Sequence, residues 1–109
     1  MIEIQNGPDS TVVCRPSGDL DFPSSLTFHQ VIADLLHPGL KIVIDLRHAH
    51  YVDAVGLHAL IGTARRLRFV GGTARIVNAD PRLRCLLRPV GADRLIEAPP
   101  ATTSPPDAA

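Results

Sequence analysis

Residues 40–46, LKIVIDL, carry apolar side chains on both faces of an extended chain: Leu40, Ile42, Ile44 and Leu46 on one, Val43 on the other. A strand of that kind belongs in the interior of a sheet, as in parallel β-α-β units. The flanking segments fit such units. Upstream, Pro23-Ser24-Ser25 opens a helix that either serine can cap. Phe28, Val31 or Ile32, and Leu35 recur at helical spacing, and Pro38-Gly39 stops it. Downstream, Asp53 can cap a second helix by accepting from the free N–H groups of Val55 or Gly56. Leu57, Leu60, Ile61, Ala64 and Leu67 then share one arc of the helical wheel, and Gly71-Gly72 supplies the left-handed cap.

Outward from this centre, residues 1–5 and 11–15 are short strand-like runs separated by the turn residues Asn6-Gly7-Pro8-Asp9, which predicts an antiparallel hairpin. Pro16 and Gly18 break the second of these strands. Residues 73–78 form another strand. Asp80-Pro81 reads as cap and first helical position, and Leu83, Leu86 and Leu87 give a short apolar stripe before Pro89. Residues 94–97 can add a last strand. The predicted fold class is α/β: a mixed sheet of four to five strands, the first an antiparallel edge and the others parallel, with the helices on one side. Residues 1–97 form the domain. Residues 98–109, rich in Pro, Ala and Thr, have nothing to bury and are expected to be a disordered tail.

At 109 residues the chain has material for one core. Residues 1–53 hold seven Asp/Glu against three Lys/Arg, and residues 54–109 hold four against eight, so the halves carry −4 and +4. Such a dipolar surface orients protein partners during encounter. It lacks the concentrated basic face of a nucleic-acid binder. No basic start followed by an apolar run suggests secretion, and no run of about 18–20 apolar residues suggests a membrane span. Cys14 and Cys85 are far apart, without C-x-x-C spacing, and are expected to be buried, reduced thiols of a cytoplasmic protein.

Several segments, in this order, resemble the motifs of STAS domains, the sulfate-transporter and anti-sigma-factor-antagonist family. Gly18-Asp19-Leu20-Asp21 resembles the G-x-L-D signature, Asp45-Leu46 the strand-ending D-L, and Val52-Asp53-Ala54-Val55-Gly56-Leu57 the D-S-S-G-L segment. Gly71-Gly72, Asn78-Ala79-Asp80-Pro81 and Gly91-Ala92-Asp93-Arg94-Leu95 follow in register. The resemblance implies a non-catalytic partner-switching module that binds an anti-sigma factor or related kinase-type protein, with no cofactor. In that family the kinase phosphorylates the serine after the aspartate, and the complex dissociates. Phosphate at a helix start is tolerated by free N–H groups and the positive dipole end, while about −1.5 to −2 added charges disrupt a docking surface. Here Ala54 and Val55 replace both serines. Ala54 is either simply a good first-turn residue or the mark of a module that docks without being switched at this site; the second reading is preferred. Modification would then have to fall on Ser24, Ser25 or Thr63.

The expected partner-binding residues are Asp53, Ala54, Val55 and Gly56 at the second helix start, Ala59 and Gly62 further along, and Asp19 and Asp21 in the loop that the family sets beside them. Two readings stay open for the face of Val55, Ala59, Gly62 and Arg66: it meets a partner, or it packs on a neighbouring helix. Asp19 and Asp21 can equally be turn residues, Asp21 helping to cap the first helix. Arg65, Arg66, Arg68, Arg82, Arg84 and Arg88 read as solvated helix faces. His48, His50, Asp53 and His58 have the donor types of a zinc site. A capping role for Asp53 and the lack of an acid/base pair, activated serine or phosphate loop argue against an enzyme; His48 and His50 read as loop residues. The resemblance leaves one further role open, a subunit of an ABC-type transport or stress-signalling complex.

Overall fold

The computed structural model describes residues 2–88. The strands are β1 (Ile2–Asn6), β2 (Thr11–Pro16), β3 (Gly18–Leu20), β4 (Lys41–Asp45), β5 (Ala49–Val52) and β6 (Thr73–Val77), and the helices are α1 (Phe22–Leu35), α2 (Ala54–Phe69) and α3 (Pro81–Leu87). Four strands form one sheet in the order β1-β2-β4-β6, and β3 and β5 form a separate two-stranded ribbon. β1 and β2 are antiparallel, whereas β2, β4 and β6 run parallel. The mixed sheet, its antiparallel edge and the interior place of residues 40–46 thus agree with the sequence reading. The strand expected at 94–97, the stop at Pro89 and the boundary near 97 lie outside the described residues.

Register explains the layering. The row Cys14–Ile44–Ile76 and the row Val12–Ile42–Ala74 point to one face, and all but the half-buried Ala74 are buried. Phe28 and Ile32 of α1, Leu60 and Leu67 of α2, and Leu83 and Leu87 of α3 join the same cluster. Val13, Val43 and Val77 of the opposite face do not belong to it. The helices therefore cover one side. Burial pushes the Cys14 thiol up to about 12, so it stays protonated and unreactive.

The expected break of the second strand follows Pro16, and at φ 83 Gly18 then turns the chain into β3, a strand not expected there. Three local expectations need correction. His50 is not in a loop but in β5, which pairs parallel with β3; alternation is too short there for a pattern to show. The cap of α1 is Asp21, whose carboxylate accepts from the Ser24 backbone, while the Ser24 hydroxyl accepts from the Asp21 backbone. Cys85 is exposed, because α3 turns Leu83 and Leu87 inward and leaves position 85 outside.

The open face of the sheet holds one buried charge. Asp45, only 3% exposed, accepts from Arg15 Nε at 3.0 Å, the Arg47 backbone at 2.9 Å and Asn78 Nδ2 at 2.8 Å. Arg15 also pairs with Glu3 at 3.3 Å, giving a Glu3–Arg15–Asp45 row across β1, β2 and β4. Burial alone would raise the Asp45 carboxyl, but the donors from Asn78, Arg47 and Arg15 outweigh it and hold it below its ordinary value. A carboxylate depressed on folding contributes stability above its unfolded pKa and loses it as pH falls through the folded value. Asp45→Asn should therefore cost roughly 1–3 kcal/mol at neutral pH. The gap between variant and parent in urea midpoint should close as the pH is lowered below about 4; a gap independent of pH would show that the charge contributes nothing.

Candidate functional site

The ribbon β3-β5 brings two distant segments together. Leu20 is registered against Val52, and Asp19 against Tyr51. Each strand then leads into a helix capped by an aspartate: Asp21 for α1 and Asp53 for α2, where the Asp53 carboxylate accepts from Gly56 N–H at 2.8 Å. The seam between them is backbone on backbone. The Leu20 carbonyl accepts from Asp53 N–H at 3.3 Å, and a Cβ placed on Gly56 would sit on that same carbonyl oxygen. Gly56 therefore serves close approach, since its φ is not in the left-handed range.

The two helices leave the ribbon side by side, and the ring of His29 lies 4.0 Å from where a Gly62 Cβ would be. Seven residues earlier on each helix, nearly two turns and on the same face, stand Phe22 and Val55. They are 61% and 42% exposed, and Leu26, one turn after Phe22, is 56% exposed. Together with Ala54, which is also exposed, these residues make an apolar patch at the common start of α1 and α2. Asp19 is exposed beside it, while Asp21 and Asp53 are half-buried.

The expected site residues thus divide. Asp19, Asp21, Asp53, Ala54 and Val55 converge at the helix starts. Gly56 is buried beneath them against Leu20, and Ala59 is buried in the core. Gly62 faces α1. For Ala59, 1% exposed, the reading of packing within the domain holds and it is corrected as a contact residue, whereas Gly62 is half-buried beside His29. The reason is helix phase: the buried positions of α2 are Gly56, Ala59, Leu60, Thr63 and Leu67, so its inward arc is centred on small residues rather than on the Leu57–Ile61–Ala64 side.

The alternative modification sites are also placed. Thr63 is buried and its hydroxyl donates to the Ala59 carbonyl at 2.8 Å. The Ser24 hydroxyl donates to the Asp19 carbonyl at 2.8 Å within the α1 cap. Ser25 is buried. No group of three His, Cys, Asp or Glu side chains among the described residues could hold a metal ion. No described helix is long and apolar enough to cross a membrane.

Phe22, Leu26 and the half-exposed Tyr51 were not foreseen. A signal existed for two of them: Phe22 and Leu26 are spaced i, i+4 but lie out of phase with the buried Ser25, Phe28 and Ile32.

Comparison with known proteins agrees with this architecture. A family model described as STAS domain matches residues 2–105. The chain belongs to the STAS domain family. Over 81 residues it is 26% identical to the anti-sigma-B factor antagonist of Bacillus subtilis (strain 168), with 74% of each chain covered. Among solved structures it is similar to the anti-sigma factor antagonist SpoIIAA in its unphosphorylated form, with a TM-score of 0.74, 19% identity, and 89% of this chain and 86% of that one covered. An anti-sigma factor antagonist from Mycobacterium paratuberculosis gives a TM-score of 0.71 at 24% identity, covering 88% and 81% respectively. The resemblance read from the motifs, and the mixed sheet it implied, are thereby shown.

The geometry separates two neighbouring positions by their tolerance. Gly56→Ala must push α2 off β3 and should cost roughly 2–4 kcal/mol. Ala54→Ser, on the solvent side of the same turn, should change stability by less than about 0.5 kcal/mol. Urea midpoints of the two variants test this; equal effects would mean the seam at Leu20 is loose.

Proposed function

We propose that this STAS domain is a non-catalytic regulatory module of the anti-sigma factor antagonist type, docking on an anti-sigma factor or related kinase-type protein and not switched by phosphorylation at the usual position. The observation that carries the reading is the patch of Phe22, Leu26, Ala54 and Val55, four outward-facing non-polar residues at the starts of two adjacent helices. Side chains of that size left in water mark contact surfaces when they gather. The aspartates around them add a polar rim, and the caps of Asp21 and Asp53 hold the helix starts rigid, which keeps down the ordering cost of binding.

The position that would carry the switch is occupied by Ala54, which has no atom able to accept phosphate. The buried Thr63 and the capping Ser24 make poor substitutes, because a kinase needs a free hydroxyl on an accessible segment. Partner release would then depend on competition or concentration. The module needs no cofactor and works in the cytoplasm, the compartment of its proposed partner.

Affinity purification of the tagged chain from its own cells, with the captured proteins identified, tests the partner class. An anti-sigma factor or kinase-type protein should be retained by the parent and lost at least about tenfold with Val55→Glu or Phe22→Glu. Unchanged retention by both variants would place the contact surface elsewhere.

Ala54→Ser restores an exposed hydroxyl at the start of α2. Incubated with ATP and the captured kinase-type partner, this variant should gain one phosphate at position 54 and release the partner, while the parent should do neither. A phosphorylated variant that stays bound would refute the idea that charge at this point breaks the contact.

A further inference from the structure

We propose that the chain associates head to tail with copies of itself, the basic end of α2 of one molecule seating on the apolar, acid-rimmed helix starts of the next. The tail patch is the last two turns of α2. Phe69 is 91% exposed, the largest exposure among the large hydrophobic residues described. Arg65 lies one turn before it on the same face, with Arg66 and Arg68 to either side. No acidic residue occurs anywhere in α2, and among the described residues none of these arginines is in an ion pair. Cations in a last turn are favourable for the helix dipole alone, but that does not account for a phenylalanine ring held in water beside them.

The occupant follows from complementarity within the same molecule. The head patch presents Phe22, Leu26 and Val55 with the exposed carboxylate of Asp19 and the half-buried, helix-capping carboxylates of Asp21 and Asp53 around them; the tail presents Phe69 with the exposed Arg65 and Arg68 and the half-buried Arg66. Apolar centre would meet apolar centre, and three negative groups would meet three positive ones. The opposed charges of the two halves of the chain, −4 and +4, arise in part from these same groups. The two patches stand at opposite ends of one 16-residue helix, about 24 Å apart. Such a contact is heterologous, and it repeats along the α2 direction instead of closing a two-fold pair. On the reading of the head patch given above, stacking would also cover the docking surface, so self-association would hold the module in reserve where no phosphate can.

Sedimentation velocity of the full chain, without partner, tests this from micromolar to millimolar concentration at low and high salt. The weight-average mass should rise past the dimer with concentration and fall with salt. A monomer throughout, or a mass that levels off at a dimer, would overturn the proposal. Arg65→Glu with Arg68→Glu, and separately Asp19→Arg, should each weaken association at least about tenfold; mixing the two proteins should restore pairing up to the dimer, because the unaltered basic tail of the Asp19→Arg protein then meets the unaltered acidic head of the other. Phe69→Ser should weaken it without changing net charge. All these positions are exposed, and unchanged circular dichroism establishes folding. Variants that associate like the parent would refute the contact. A parent chain that stays monomeric yet loses its partner with Val55→Glu and Phe22→Glu would refute this inference alone, whereas self-association as expected with partner capture untouched by those two variants would refute the docking assignment alone.

Discussion

The carbonyl oxygen of Leu20 is the point on which this molecule is assembled. It ends β3, accepts the N–H of Asp53, and presses on the α-carbon of Gly56 so closely that no side chain fits there. Through it two segments more than thirty residues apart become one surface. A buried carbonyl needs a donor, and here the donor belongs to the residue that caps α2. Capping, strand pairing and helix docking are thus satisfied in one place. The phase of α2 follows: with Gly56 turned inward, Ala59, Leu60, Thr63 and Leu67 must follow it, and Ala54 and Val55 must face water.

The two faces of the sheet divide the remaining work. One is apolar and carries all three helices; the other has no place in that core and carries the Glu3–Arg15–Asp45 row. Asp45 ends the central strand, and its partners come from β2, from the turn after β4 and from Asn78 just after β6. A carboxylate so enclosed, with donors on both of its oxygens, ties the strand ends together. The D-L motif that helped to mark the family is thus, in this chain, a structural fixture.

The helix starts concentrate what can interact. An added phosphate there would meet the N-terminal dipole of α2 favourably while disrupting an apolar contact, so fold and interface respond oppositely to the same group. Without a hydroxyl at position 54 this asymmetry cannot be exploited. The surface is permanently apolar unless something covers it.

How much of this was legible from residues can be traced element by element. The interior strand 40–46, the opening hairpin, the caps at Asp53 and Asp80 and the stop at Gly71-Gly72 rest on local periodicity, capping chemistry and backbone freedom, and these act within a few residues. The sequence by itself therefore determined the fold class, the family and the absence of an acceptor at position 54. The β3-β5 ribbon, the inward turn of Ala59, the exposure of Phe22, Leu26 and Phe69, and the role of Asp45 were decided only in three dimensions. In each case an apolar or charged residue has two possible environments, and which one it receives depends on what the rest of the chain packs against it. A three-residue strand is too short for alternation to register, and a helix of small residues has a weak moment, so only the steric limit at Gly56 chose its inward face.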